Sequence, residues 1–397
     1  MQRGKPEFGG ELPMTVFAEE IETPGPGQIR ALITSAGNPV LSAPGGPRIE
    51  RALAGLDFMV SIDPYINATT RLAHVILPPA SPLERSHYDA ALFAFAVRNV
   101  AKYSPPTFAR PADSRHDWEI CLALWRRLGA PSKLGRAGSL VERALGRAGS
   151  LVEHALGKLG PEPILDLALR AGPHRLSLRR LRDAPHGLDL GPLERRLPAR
   201  LTTPDRKVHL APVIYLADLA RLSAHHAAPP AAAGLVLIGR RQLRSNNTWM
   251  HNSARLVKGP PRCTLLIHPD DATARGLVDG RLARISTATG AIDLPVEVSD
   301  EVMPGVVSIP HGWGHGKPGV QLRVAGATPG ESINDIIDPA AIDELSGTSA
   351  LTGQLVEVAA LSATRALIGE SARSRVADAD AEVDLAATGQ LAEVAAR

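Results

Sequence analysis

The chain has 397 residues, which is long enough to bury a sizeable core and to form two or three domains. Its 44 Lys and Arg residues nearly balance its 41 Asp and Glu residues, and the net charge of +3 is too small to indicate a nucleic-acid partner. The sequence has no apolar run of the roughly 18 to 20 residues that span a bilayer, and its N-terminus lacks the apolar core of a secretory signal. We therefore expect a cytoplasmic protein with no membrane contact and no nucleic-acid partner.

The sequence contains two cysteines, Cys121 and Cys263. Two isolated thiols cannot build a disulfide framework, and an iron–sulfur cluster normally takes four thiolates. We therefore expect no iron–sulfur cluster on this chain. Each cysteine is interpreted as a small buried apolar residue.

The first part of the chain predicts strands that alternate with helices. Apolar runs bounded by turn residues are expected to be strands, at residues 29–35, 58–62 and 73–77. A helix with its apolar residues on one face is expected at residues 48–56. This order and spacing imply a parallel, doubly wound sheet that binds a ligand at the carboxyl ends of its strands.

Polar side chains occupy positions at which such a sheet binds ligands. Asn38 and Asp63 follow two of the predicted strands, and Asp117 begins an amphipathic helix predicted at residues 117–128. A carboxylate at these places either accepts hydrogen bonds from a ligand or caps a helix. The residue types leave both roles open.

The middle of the chain is expected to be a helical, basic connector. Residues 135–145 are repeated at residues 146–156 with one difference, and the 11-residue period is close to three helical turns. From residue 126 to residue 207 there are 17 Lys and Arg against 8 Asp and Glu. Because no aromatic platform accompanies this charge, it indicates a solvated face rather than a nucleic-acid site.

A polar, cationic segment follows the connector and a predicted buried strand at residues 235–238. Gly239 ends the strand, and Arg240, Ser245 and Asn246 lie in the segment after it. Arg binds phosphate oxygens through two parallel hydrogen bonds, and Asn amides supply both donors and acceptors. The segment is therefore either a site for an anionic ligand or a solvated basic loop.

The remainder predicts a small barrel and a tail. Short strands separated by Gly and Pro indicate a closed barrel, with strands at residues 264–269, 282–286, 292–298 and 306–310 and a short helix at residues 270–276. His311 and His315 flank a Gly-Trp-Gly loop but lack further ligands, so we expect no metal site there. Residues 359–397 are Ala-rich and mildly acidic, which is typical of a loosely helical or disordered tail.

Several segments resemble, in order and spacing, the molybdopterin-dinucleotide oxidoreductases, the superfamily of formate dehydrogenase, nitrate reductase and dimethyl sulfoxide reductase. They are residues 35–39, 60–63, 69–78, 83–85, 234–252, 269–310 and 332–336. The resemblance implies an α/β protein in which a partial doubly wound parallel α/β domain is followed by a helical basic connector and a double-psi-type β-barrel domain. The expected domains are residues 1–128, 129–231 and 232–358, with a tail at 359–397. Relatives also have a short strand in the connector, which corresponds to residues 208–212.

The resemblance also implies a cofactor, molybdopterin guanine dinucleotide with molybdenum or tungsten. Two such pterins hold the metal in relatives, for two-electron redox of a small-molecule substrate. The cofactor contacts carried over to this sequence are Asn38, Asp63, Arg85, Asp117, Gly239, Arg240, Ser245, Asn246, His311 and Asn334. The resemblance assigns no catalytic residue and no metal ligand on this chain.

Relatives also carry a cysteine-rich cluster motif, half of the first nucleotide fold and the metal ligand, and none of these is in this sequence. We therefore expect the C-terminal part of such an enzyme. It would be inactive without an N-terminal half or a cluster-bearing subunit as its partner. The alternative is a non-catalytic binding or interaction module, or a relic, derived from such an enzyme.

Overall fold

The computed structural model describes residues 12–128, 156–227 and 234–361. The tandem repeat, apart from its last residue, and the tail beyond residue 361 lie outside these ranges. The chain divides into two compact units, residues 1–77 with 231–397, and residues 78–230. The domain boundaries inferred from the sequence stay a prediction.

The first unit begins with a small α/β layer. Its strands are β1 (Ala31–Ser35), β2 (Phe58–Ile62) and β3 (Val75–Ile76), and its helices are α1 (Phe17–Glu22), α2 (Pro39–Ser42) and α3 (Gly46–Ala54), with 3-10 turns at Met14–Val16 and Thr70–Leu72. The three strands are parallel in the order β1-β2-β3. Ser35 pairs with Ile62, so the carboxyl ends of β1 and β2 lie side by side.

The two faces of this sheet have different surroundings. Met59 packs in a core with Leu41, Ile49 and Leu53, because the apolar residues of α3 face the sheet at helical spacing. The other face carries Ile33, Phe58 and Val75, which are all exposed. The same face also carries Val60 and Ile62, which are buried, so the described residues cover this face in part.

The second layer of this unit is a closed barrel. Its strands are β8 (Leu235–Arg240), β9 (Leu265–Ile267), β10 (Leu282–Ser286), β11 (Ala291–Val298), β12 (Val306–Pro310) and β13 (Gln354–Ala360), in the order β10-β11-β9-β12-β8-β13. Short helices lie between them, α8 (Ala254–Val257), α9 (Pro269–Ala274) and α10 (Arg323–Ala327), with 3-10 turns at Trp249–Asn252 and Ile333–Asp335. Alternate residues of β11 are buried, as period-two strands require. The mixed α/β class and the closed barrel are confirmed, and the double-psi type stays a prediction.

The second unit is built from short elements. They are β4 (His87–Tyr88), β5 (Arg98–Ala101), β6 (Tyr103–Ser104), β7 (Leu188–Pro192), α4 (Asp117–Leu128), α5 (Pro161–Ala171), α6 (Leu178–Arg182) and α7 (Val213–Ala227), with 3-10 turns at Pro82–Glu84 and Leu92–Phe95. β4 pairs with β6 and β5 with β7, both antiparallel. Ala101, Tyr103 and Leu181 lie in its core.

Two expectations from the sequence are wrong in these units. Residues 208–212 form no strand; they lead into α7, where the Pro212 carbonyl accepts hydrogen bonds from the backbone of Tyr215 and Leu216. Cys263 is buried as expected, but Cys121 is exposed on α4. Within the described ranges, each helix is too short or too polar to cross a bilayer.

Candidate functional site

The loop that follows β8 surrounds a cavity. Asn246 and Asn247 adopt left-handed backbone conformations, with φ of 42° and 57°, which Asn tolerates better than most residues. The Arg241 guanidinium donates to the side-chain oxygen of Asn247 at 2.8 Å. This local geometry holds the amide and guanidinium groups of the loop in place without a helix or strand.

The cavity has a volume of about 370 Å³. It is lined by Arg241, Gln242, Leu243, Ser245, Asn246, Asn247, Met250 and His311. None of the side chains that the structure places around it is acidic, one is a guanidinium, and three are amides. This donor set suits an anionic ligand that accepts several hydrogen bonds.

The loop after β12 forms the second side of this region. Gly312 has a φ of 101°, and a Cβ atom at this position would lie 1.9 Å from the carbonyl oxygen of Asn247. A Cβ at Gly314 would lie 2.8 Å from the Cβ of Ser332. Both glycines therefore allow backbone approaches that any side chain would prevent.

Two buried histidines connect these loops. The His251 Nδ1 and the His315 Nε2 are 2.8 Å apart, and the His251 Nε2 lies 2.8 Å from the Ser245 Oγ. The Trp313 ring stacks on His251 with 4.0 Å between centroids. Each imidazole is 2% exposed. Nothing in the local sequence singles out His251, because no local pattern pairs residues 64 positions apart.

The surroundings keep these imidazoles neutral. Burial lowers the pKa of His251 to about 4, with a smaller contribution from the charge of Arg262. Burial and then His251 lower the pKa of His315 to about 4. Burial and the charge of Arg241 do the same for the pKa of His311. Each ring therefore carries one donor and one acceptor at neutral pH.

The structure separates the predicted contacts on β8 from those in its loop. Ser245, Asn246 and His311 line the cavity. The Arg240 guanidinium instead donates to the carbonyl oxygens of Ser308 and Thr264, at 2.5 and 3.0 Å, and is largely buried. Gly239 pairs with Ile309 in the barrel wall. Arg240 and Gly239 thus belong to the barrel rather than to the cavity lining.

Asn38 and Asp63 lie beyond the carboxyl ends of β1 and β2 and hold the same loop. The Asn38 side-chain oxygen accepts from the Thr69 hydroxyl at 2.7 Å. Asp63 accepts from the backbone of Tyr65 at 2.8 Å and from the Asn67 amide at 3.2 Å. Burial raises the pKa of Asp63, and those two hydrogen bonds oppose the rise. Asp63 therefore stabilises the turn that follows it.

Asn334 joins the barrel to the α/β layer within the first unit. Its side-chain amide donates to the Leu41 carbonyl oxygen at 2.7 Å, and its own carbonyl accepts from the backbone N–H of Gly45 at 2.9 Å. Asn334 is 2% exposed. The segment that begins at Asn38 is thereby fixed against the barrel by an amide predicted from resemblance alone.

Arg85 and Asp117 lie in the second unit and form an ion pair with each other. Together with His116, Glu162 and Arg179 they line a cavity of about 650 Å³. Two predicted contacts that are 32 positions apart in the sequence are therefore brought together at the start of α4.

The chain matches two family models. Residues 9–127 match the model described as "Molybdopterin oxidoreductase", and residues 235–355 match the "Molydopterin dinucleotide binding domain". Together the matches cover more than half of the chain. The chain belongs to the molybdopterin oxidoreductase family. The cavity residues all lie within the dinucleotide-binding match, and the cofactor of this domain is molybdopterin guanine dinucleotide with molybdenum or tungsten.

Relatives and a solved structure agree with this membership. The alpha subunit of NADPH-Fe(3+) oxidoreductase from Geobacter sulfurreducens is 24% identical over 284 residues, which are 72% of this chain and 27% of the relative. The catalytic subunit of assimilatory nitrate reductase from Bacillus subtilis is 34% identical over 113 residues, 28% of this chain and 15% of the relative. The chain therefore spans about a quarter or less of the length of these relatives.

Acetylene hydratase from Pelobacter acetylenicus has a similar fold, with a TM-score of 0.61 and 17% identity. The similarity covers 88% of this chain and 46% of that enzyme. At this identity the likeness concerns the fold alone.

The residues present fit a phosphate-bearing, hydrogen-bonding cofactor. The cavity combines the Arg241 cation with the amides of Asn246 and Asn247, and Gly312 leaves space where a side chain would collide with the loop. Within the described ranges, no group of three or more His, Cys, Asp or Glu is arranged to hold a metal ion. This chain's residues are thus suited to the organic part of the cofactor.

Replacing Gly312 by Ala tests the contact between the two loops. Left-handed strain costs roughly 1–2 kcal/mol and overpacking a further 1–3 kcal/mol, so we expect a loss of roughly 3 kcal/mol in the free energy of unfolding. Gly305→Ala is the matched control, because its φ is 83° but no atom lies within 4 Å of the added Cβ. Urea unfolding measures both. Equal losses in the two variants would show that Gly312 does not contact Asn247.

Acid should destabilise the protein through the buried imidazoles. The folded protein keeps His251 and His315 neutral down to a pKa of about 4, whereas the unfolded chain protonates them near 6.5. Between these values the unfolded chain binds more protons, so the free energy of unfolding falls as the pH is lowered. The fall is up to about 1.4 kcal/mol per pH unit for each imidazole.

Urea unfolding of the wild type and of His315→Gln between about pH 7 and pH 4 measures this effect. The variant lacks one titrating ring, so its stability should depend less steeply on pH. Identical slopes for the two proteins would contradict the assignment.

Proposed function

We propose that the cavity after β8 binds the phosphate-bearing part of molybdopterin guanine dinucleotide. This chain would then be the cofactor-binding part of a molybdopterin-dependent oxidoreductase that carries out two-electron redox of a small substrate. One observation carries the proposal: a cavity lined by a guanidinium, three amides, a serine and a neutral histidine lies within the dinucleotide-binding match.

Each lining group has a distinct part in binding. Arg241 supplies the positive charge and a planar pair of donors. Asn246 and Ser245 supply neutral hydrogen bonds that orient the ligand. His311 is neutral, so it adds a donor or an acceptor without repelling Arg241. When bound, the cofactor supplies the electron-transfer chemistry through its molybdenum or tungsten.

The remaining predicted contacts take supporting roles in this proposal. Arg240 shapes the site by bonding to the barrel, and Asn334 does so by holding the turn between α2 and α3. Asn38 and Asp63 order residues 65–70. In the second unit, the charged cavity beside the Arg85–Asp117 pair is proposed to take the guanine end of a dinucleotide.

Catalysis is proposed to depend on a further polypeptide segment or subunit. The two cysteines of this sequence are too few for an iron–sulfur cluster, so electrons would have to reach the cofactor through a cluster outside it. The Geobacter sulfurreducens relative is an alpha subunit, which supports a partner of this kind. On its own, the chain would bind the cofactor without turning over substrate.

A non-catalytic interaction module is the second candidate, and one observation favours it. Helix α7 has 15 residues and buries none of them. Its apolar side chains are more than half exposed at Val213, Ile214, Tyr215, Leu216 and Leu219. An apolar helix surface of this kind is typical of a protein-binding site.

Calorimetric titration with inorganic diphosphate and with GDP separates the two candidates. We expect the wild type to bind both. Arg241→Ala should bind about 10 to 100 times more weakly, because a hydrogen bond to a charged group contributes about 1.5–3 kcal/mol. Arg195→Ala removes an equal charge from an exposed site in the second unit and is expected to bind like the wild type.

Two outcomes would count against the oxidoreductase proposal. A folded wild type that binds neither diphosphate nor GDP would favour the interaction module. Equal weakening in Arg241→Ala and Arg195→Ala would show that binding reflects overall charge rather than this cavity.

A further inference from the structure

A continuous hydrogen-bonded chain leads from the cavity to the buried loop after β12. The Ser245 Oγ is 2.8 Å from the His251 Nε2, and the His251 Nδ1 is 2.8 Å from the His315 Nε2. Ser245 lines the cavity but is only 5% exposed, and the two rings are almost fully buried. Trp313 covers the face of His251. Water therefore has little access to the chain.

Such a chain has two possible directions. Each neutral imidazole has one protonated and one unprotonated nitrogen, so the tautomer of one ring determines that of the other. In the first direction, the Ser245 hydroxyl donates to His251 and both rings are protonated at Nδ1. In the second, both rings are protonated at Nε2, and His251 donates to the Ser245 oxygen.

The two directions present different groups to the cavity. In the first, the Ser245 proton points away from the cavity and only its oxygen lone pairs face a ligand. In the second, the oxygen receives a hydrogen bond from His251, so the hydroxyl proton is free to donate into the cavity. Passing from the first direction to the second moves one proton along each hydrogen bond, releases the Nδ1 proton of His315 and adds one proton at the Ser245 oxygen. Each of the three groups still carries one proton, so the net charge does not change, and solvent exchanges the two outer protons when the loops open locally.

The far end of the chain makes no hydrogen bond in the part of the protein that the structure describes, although the Gly312 backbone is near enough to both imidazoles to oppose the lowering of their pKa values. The Nδ1 of His315 is buried and makes no hydrogen bond to any described residue. It is an unpaired donor in the first direction and an unpaired acceptor in the second. Because an unpaired buried polar atom is unfavourable either way, the balance is left to the end at the cavity.

We propose that an anionic oxygen in the cavity selects the second direction. His251 and His315 are then positioning residues that turn the Ser245 hydroxyl into a donor toward the ligand. The physical reason is that an oxyanion only accepts hydrogen bonds, so it repels the lone pairs of the first direction and gains a charge-assisted bond in the second. The inference rests on the proposed function, because it requires a phosphate-type ligand in this cavity.

Nitrogen-15 NMR of the full chain with labelled histidine tests the inference. The His251 and His315 signals are assigned through His251→Gln and His315→Gln. Saturation with inorganic diphosphate should shift both rings to the Nε2-protonated form, at the same concentrations as binding measured by calorimetry. His268, at the start of α9, is not part of the Ser245–His251–His315 hydrogen-bonded chain. It is the internal control, and its signals should not change.

Variants test whether the rings act through Ser245. Ser245→Ala should abolish the tautomer change at both rings and weaken diphosphate binding about tenfold, as expected for one charge-assisted hydrogen bond. His315→Gln keeps a side-chain donor for His251 and should bind within about threefold of the wild type. His315→Leu cannot donate and should bind roughly five to ten times more weakly.

The outcomes distinguish this inference from the proposed function. Diphosphate binding with unchanged tautomers, or with undiminished affinity in Ser245→Ala, would overturn the inference and leave the proposed function standing. Absence of diphosphate binding in the wild type would overturn both. If His315→Leu does not fold, as judged by thermal unfolding, the tautomer measurement on the wild type decides alone.

Discussion

The close approach of Gly312 to the Asn247 carbonyl is the constraint on which the site depends. It brings the loop after β12 against the loop after β8, although these loops are more than sixty residues apart in the sequence. The cavity, the His251–His315 contact and the burial of Ser245 all lie at this junction. A side chain at Gly312 would force the loops apart and remove all three at once.

A second junction fixes the barrel to the α/β layer of the same unit. Beside the Asn334 amide, the Lys317 Nζ lies 3.1 Å from the Glu50 carboxylate and 3.6 Å from that of Asp335, and Arg71 also pairs with Glu50. Burial raises the pKa of Asp335. Burial also opposes ionisation of Glu50, but its bonds to Lys317 and Arg71 outweigh that effect and lower its pKa. Because desolvation offsets much of the attraction, we interpret these pairs as specifying the register of the two layers.

Much of the fold could be predicted from local sequence. The strands β2, β10 and β12 and the helix α4 have the predicted bounds, because Pro, Gly or a polar residue interrupts each apolar pattern at its ends. β13 was missed, since Glu357 and flanking alanines make Gln354–Ala360 similar to the polar tail. Its place in the sheet comes from pairing with β8 and β10, which no local pattern contains.

The site was predictable in position but not in detail. The polar composition after β8 indicated an anion site, and Ser245, Asn246 and His311 do line a cavity there. Arg240 has the same residue type as Arg241, but strand alternation turns it toward the barrel carbonyls. The direction of a side chain and its pairing with distant residues, as for His251, depend on tertiary packing.

The most direct test is to purify the chain from a host that makes molybdopterin guanine dinucleotide, with a cluster-bearing N-terminal part of a relative co-expressed. Pterin fluorescence after oxidation and elemental analysis for molybdenum and tungsten then measure the cofactor. The proposed role of the cavity predicts about two pterins per metal in the wild type and in Arg195→Ala, with at least a tenfold loss in Arg241→Ala. Folded wild-type protein with neither pterin nor metal, or Arg241→Ala that retains both, would contradict it.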